Sequence, residues 1–294
     1  MEFNPNAKLD SSQLQPSAGG GGGGGVALGG GLGLIVMILG LIFGFNPGDL
    51  LGNMPSSADN TSQSTNQYEH CQSGADIQAD RECRWVAYVN SVQGYWNTQF
   101  QQGQYQAAAT VPFTGSVNTA CGTANSQVGP FYCPADQKVY VDTEFVNQLL
   151  QQLGAQGGEA AEAYIIAHEY GHHIQTLTGR LQKVQSAGNQ TGPESPQVRL
   201  ELQADCYAGV WFKNAVQDPT GIISGVTQDD LNRIADAAAS VGDDRIQQST
   251  AGQVTPESWT HGSAKMRQNW LGKGFTTGDP NVCEQAFTSE NLEA

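Results

Sequence analysis

The stretch AYIIAHEYGHHIQ, residues 163–175, sets the strongest condition on any fold this chain can adopt. Read as a helix, it stacks Ala161, Ile165, His168 and His172 along one face, because residues three and four apart are neighbours on a helix surface. Ala161 and Ile165 turn that face inward, so two imidazoles are carried into the interior with it. Buried polar groups need partners. Glu169 comes close to the same place and can hold a proton there without being a ligand. A surface helix displaying two polar histidines is the simpler alternative, and the apolar flanks argue against it.

A second helix makes a matching demand. In RLELQADCYAGVW, residues 199–211, Glu201 and Asp205 lie four apart, in line with Val198, Ala208 and Phe212. Two carboxylates on an apolar stripe are costly unless neutralised. An internal salt bridge, for example to Arg199 or Arg267, would neutralise them. A zinc ion would do so too, held by His168, His172 and Glu201 with a fourth position left for water, as in catalytic zinc sites. Asp205 would then accept a hydrogen bond from a liganding histidine and fix its orientation. Glu169 would take a proton from the zinc-activated water and pass it to a leaving amine.

The other histidines carry weaker signals. His173 points about 100° away from His172 around the helix and reads as a structural histidine. His261, in WTHGSAK, is a candidate donor to a developing oxyanion. His70 has no assigned role, and nothing fixes the roles of Tyr170 and Gln175.

Around these helices the chain divides into unlike parts. Residues 1–25 are polar and end in a glycine run, the composition of a disordered tail. Val26 to Phe45 contains no charge and has the length of a transmembrane helix. Residues 46–75 read as a flexible linker rich in Ser, Asn, Gln, Gly and Pro, and 76–294 as the folded domain. Trp85, Val89, Val92, Trp96 and Phe100 predict an amphipathic helix over 80–100. Short strands are expected in 109–142, with Lys138 to Asp142 the clearest. Beyond Thr143 the pattern is helical. Gly179 is expected to end a helix, Ser195–Pro196 to start the next, and Thr227 with Asp230 to form a capping box. Thr255–Pro256 is expected to open the last helix.

The formal charge of −15, with only 13 Lys plus Arg, speaks against a nucleic-acid partner. Six cysteines without a CxxC pair, in a chain with an apolar N-terminal segment, indicate disulfides in an oxidising compartment. Sequential pairing is favoured: Cys71 with Cys83, Cys121 with Cys133, and Cys206 with Cys283.

HEYGHHIQ followed by LELQADCYAGVW resembles the bacterial neutral zinc metallopeptidases, and CGTANSQVGPFYCPADQKVYVD and WTHGSAKMRQNW extend the likeness. It runs from about residue 70 to the end. More broadly, HExxH followed by ExxxD resembles the glutamate-liganded zincins. The expected fold is α+β, a mainly helical zincin-like catalytic domain with a small β-sheet, preceded by the one transmembrane helix that the length and lack of charge of Val26 to Phe45 indicate. The resemblance implies zinc as cofactor, His168, His172 and Glu201 as ligands, Glu169 as base and Asp205 behind them. The expected function is a membrane-anchored metallopeptidase acting on a peptide or protein substrate. The anchor is expected to cross once, with the N-terminus inside and the catalytic domain outside. By analogy with zincins, the substrate backbone would pair with an exposed strand edge, for which Lys138 to Asp142 is the candidate. A zinc amidohydrolase acting on cell-envelope material, or a catalytically silent tethered binding protein, are the alternatives.

Overall fold

The computed structural model describes residues 1–15, 67–188, 190–218 and 221–293. The chain opens with strand β1, Glu2–Phe3, followed by a 3-10 turn at Ser11–Gln13. After the short helix α1, Asp76–Ala79, comes α2, Cys83–Gln99. Trp85, Val89, Val92 and Trp96 of α2 are all buried, as their spacing predicts. Then come β2 (Ala109–Pro112), the hairpin β3 (Ser116–Thr119) and β4 (Gly122–Asn125), β5 (Phe131–Cys133) and β6 (Lys138–Val141). Helices α3 (Val146–Gln152), α4 (Glu159–Leu177), α5 (Arg180–Ser186) and α6 (Pro196–Ala215) follow. Strand β7 (Ile223–Gly225) precedes α7 (Gln228–Ser240), α8 (Asp243–Ala251) and α9 (Ala264–Thr277). The domain is mainly helical with small sheets.

The caps lie largely where the sequence puts them. The Ser195 side chain accepts from the Val198 amide, with Pro196 at the first turn of α6. Thr227 and Asp230 form a reciprocal capping box on α7. Gly179 sits left-handed just beyond α4. The start of the last helix differs. Thr255–Pro256 opens only a 3-10 turn, Pro256–Ser258, and α9 begins at Ala264 with Ser263 as its cap. The intervening backbone is claimed by Asp243, whose Oδ2 accepts the amides of Thr260, His261 and Gly262. Those donors are unavailable to a helix.

Helices α4 and α6 form the centre, buried over almost their whole circumference. Helix α9 lies against α6 at backbone contact. A Cβ added at Gly274 would stand 2.0 Å from the Cys206 carbonyl oxygen, and one at Gly209 would stand 2.1 Å from that of Leu271. All three favoured disulfides are present, Cys71–Cys83, Cys121–Cys133 and Cys206–Cys283. The last ties α6 to the C-terminal 3-10 segment Pro280–Phe287.

Three expectations need correction. Residues 1–15 are not a disordered tail. β1 pairs antiparallel with β7, the Met1 amine donates to Asp230 at 2.9 Å, and Asn90 holds both the amide and the carbonyl of Asp10. Leu14 is fully buried, and the Gln15 amide donates to the Thr110 carbonyl. The composition of a 25-residue window hides these few anchoring groups behind its glycine run. The domain also begins earlier than residue 76, since Tyr68 and Cys71 are buried. Third, Lys138–Val141 is not an edge. The sheet order β2-β6-β5 places it in the middle, parallel to β2 and antiparallel to β5.

Among the described residues no helix is long and apolar enough to cross a membrane. The stretch Val26 to Phe45 lies outside the described residues. Because residues 1–15 pack on the domain, both must lie on the same side of any bilayer. A single crossing with the N-terminus on the far side is incompatible with that packing.

Backbone contact between α6 and α9 leaves no room for a methyl group. Gly274→Ala should therefore destabilise the protein by about 3 kcal/mol. Gly272→Ala, on the same helix with open space around it, should gain up to about 1 kcal/mol. Urea unfolding of the two variants measures the difference, and equal midpoints would contradict this packing.

Candidate metal centre

Gly171 lets the two central helices meet. A Cβ there would lie 2.9 Å from the Cα of Ala204 and 3.0 Å from its Cβ. Gly171 lies next to His172 on α4, and Ala204 lies between Glu201 and Asp205 on α6. Their contact brings the two polar sets together.

One ligand atom from each of His168, His172 and Glu201 lies within 4.8 Å of the other two, and all three residues are buried. His168 Nε2 is 3.2 Å from Glu201 Oε2, and His172 Nε2 is 3.5 Å from Oε1. The far side of each imidazole is fixed. His168 Nδ1 donates to Asp205 Oδ1 at 2.9 Å, and His172 Nδ1 donates to Gln175 Oε1 at 2.9 Å. Gln175 is itself held by the Leu200 carbonyl and by Gln203. Both Nε2 atoms therefore face the common centre. Glu201 Oε1 is buried there without a hydrogen-bond donor. A divalent cation suits this set. It would partner the orphaned oxygen, and two imidazoles with one carboxylate are a zinc-type donor set.

Asp205 ties the centre to the core. Its carboxylate accepts from the Tyr164 hydroxyl at 2.6 Å, and from Arg267 Nε and Nη2 at 2.8 and 3.0 Å. The ion pair weighed from sequence is thus real, but it belongs to Asp205 and coexists with the histidine contact. Arg267 and Tyr164 carried no signal of their own beyond a possible pairing for Arg267.

Burial works to raise the Glu201 carboxyl, but the His172 charge and the close approach of both imidazoles outweigh it. They hold Glu201 well below its ordinary value. Burial alone would lower His168, yet Asp205 and Glu201 push it up to about 9. The centre thus favours positive charge, which a bound cation supplies in place of that proton. Glu169 is raised, chiefly by burial, although the Tyr132 amide donates to it.

His261 approaches from the loop before α9. Its Nδ1 lies 3.0 Å from Thr260 Oγ1 and 3.3 Å from Asp243 Oδ1. Asp243, which shapes this loop, sits in a polar GDDR stretch that gives no periodic signal. His173 is a satisfied structural histidine, donating to the Gln106 carbonyl at 2.6 Å and meeting the Tyr132 hydroxyl at 3.1 Å. Tyr170 bonds Thr110 and the Ala108 carbonyl, away from the centre.

A largely helical domain with this centre has a clear family. The chain belongs to the family described as "Putative neutral zinc metallopeptidase", whose pattern matches residues 6–287. That membership implies a zinc cofactor and, at a coarse level, a hydrolase of the peptidase kind. The chain is 43% identical over 257 residues to the uncharacterized protein Rv2575 of Mycobacterium tuberculosis H37Rv, covering 86% of each chain. It is 37% identical over 257 residues to the uncharacterized protein YpfJ of Escherichia coli K12, covering 85% of each. No solved structure matches the chain.

Removing the Arg267 charge leaves Asp205 buried with less compensation. Arg267→Met should cost about 3–5 kcal/mol. The double variant with Asp205→Asn should lose less than the single losses combined, because the pair acts as a unit. Chemical denaturation of the two single variants and the double variant checks both, and strict additivity would show that the pair is not coupled.

Proposed function

We propose that the protein is a zinc-dependent peptidase in which His168, His172 and Glu201 hold the metal and Glu169 is the general base. The observation that carries this is the convergence of three buried ligand atoms around a carboxylate oxygen with no hydrogen-bond donor. Zinc, when bound, supplies a Lewis acid that activates water and polarises a carbonyl. Glu169 is buried, which favours its gaining a proton, and it can hand that proton on to the leaving amine. Asp205 orients His168, and Gln175 orients His172. His261, held through Nδ1, is the donor to the developing oxyanion.

The substrate backbone is assigned to β5. β5 is a sheet edge, and the Tyr132 amide on that strand already reaches Glu169. At the opposite edge, β2 is met by Leu14 and Gln15. An extended peptide can add beside β5.

Attachment to a membrane through Val26 to Phe45 rests on that segment's apolar, uncharged composition rather than on a single crossing. Residues 1–15 and the domain are read on the same, extracytoplasmic face, in keeping with three disulfides. Deleting residues 26–45 should move the protein from the membrane fraction to the soluble one, and an unchanged distribution would remove this attachment.

The enzymatic roles separate in one experiment on the full chain. Glu201→Gln should lose zinc. Glu169→Gln should keep zinc and lose peptide cleavage by about 10²–10⁴-fold. His261→Ala should keep zinc and slow cleavage by about 10²–10³-fold. A wild type that takes up no zinc and cleaves no peptide in its presence would overturn the proposal.

A further inference from the structure

A second cluster of metal-ligating side chains lies outside this centre, around the Cys71–Cys83 disulfide. His70 Nε2 lies 3.5 Å from Cys83 Sγ and 3.7 Å from Cys71 Sγ. The same nitrogen is 2.9 Å from Asp80 Oδ2. The arrangement is supported from both sides. A turn from Tyr68 to Cys71, closed by a 2.9 Å backbone bond, brings His70 over the sulfurs. Asp80 Oδ1 accepts the Glu82 amide at 2.9 Å, which leaves Oδ2 to face the imidazole. Both sulfurs are buried, whereas His70 and Asp80 open to solvent.

We propose that His70, Asp80, Cys71 and Cys83 form a redox-gated zinc site, closed while the disulfide is intact and opened by its reduction. Zinc–sulfur bonds of about 2.3 Å and zinc–nitrogen bonds of about 2.0–2.1 Å give tetrahedral N···S edges of about 3.5 Å. The imidazole already stands at such distances from both sulfurs. Two thiolates, one imidazole and one carboxylate make a complete donor set for zinc. In the oxidised protein the sulfurs are bonded to each other, and the thiolate rather than the disulfide is the metal ligand. A dithiol supplies two electrons and two protons. The S–S bond breaks, two thiols form, and the dithiol becomes its own disulfide. Zinc then displaces both thiol protons to solvent. The metal replaces the covalent link between residues 67–75 and the start of α2, so this corner of the domain stays fastened in either redox state. The site is independent of the peptidase reading.

The test counts zinc per chain in the full-length protein, before and after treatment with a dithiol that is then removed without air. Reduced wild type should hold about one zinc more than oxidised wild type. His70→Ala, which keeps the disulfide and trims only a half-exposed side chain, should lose that gain. So should the double variant Cys71→Ser with Cys83→Ser. The gain should persist in Cys121→Ser with Cys133→Ser, and in Glu201→Gln. Cobalt added instead of zinc should give thiolate-to-metal absorption in reduced wild type and not in His70→Ala. No gain on reduction, or a gain that survives His70→Ala or loss of Cys71 and Cys83, would overturn the proposal.

Discussion

Glu201 and Asp205 are buried on one face of α6, and much of the domain is arranged to neutralise them. A lone carboxylate in such a place would take up a proton rather than stay ionised. Asp205 is met by Arg267 from α9 and by Tyr164 and His168 from α4. Glu201 is met by His168 and His172, with one oxygen left over. Three helices are thereby fixed relative to one another. The glycines at their crossings, Gly171 on Ala204 and Gly274 on Cys206, are what close packing at those points requires. Polar demand and steric allowance are two sides of one arrangement. Without the close approach the charges could not be met, and without the charges the approach would have less to hold it.

How much of this was legible in the sequence depends on the range of the interaction. The α4 motif and the carboxylate pair on α6 are local patterns, and each states its own need for partners. The caps at Ser195 and Thr227 are local too, and so is the buried stripe from Trp85 to Trp96. What sequence reading missed was set by distant contacts. Asp243 captures three amides from residues 260–262, which delays α9 to Ala264. The central position of β6 follows from β2 and β5 flanking it, and its own alternation is silent on that. The docking of residues 1–15 rests on single groups, such as Leu14 and the Met1 amine, that composition averages away.

The N-terminal segment bears on the site as well as on topology. By meeting β2 through Leu14 and Gln15, it occupies one side of the three-stranded sheet. The opposite strand, β5, is the edge next to Glu169. An edge strand carries backbone groups that no neighbouring strand pairs, the feature on which the proposed peptide pairing rests. The two edges of the sheet thus differ, one met by residues 14–15 and the other lying beside the buried acid.

Glu169 and Glu201 show how one residue type meets two environments in the same small volume. Both are buried, and burial pushes both toward the protonated form. Glu201 faces two imidazoles, so it is held ionised and suited to a cation. Glu169 lies beside the same imidazoles, but their pull and the Tyr132 amide do not outweigh its burial, and it is displaced toward neutral pH. The roles proposed for them fit this split, since a ligand must stay ionised and a base must exchange its proton. Environments that drive two carboxylates apart in this way separate an acid–base group from an electrostatic one. The separation here arises from which helix each residue occupies. On α6 a glutamate points at both Nε2 atoms, whereas on α4, one position beyond His168, it can only lie alongside them.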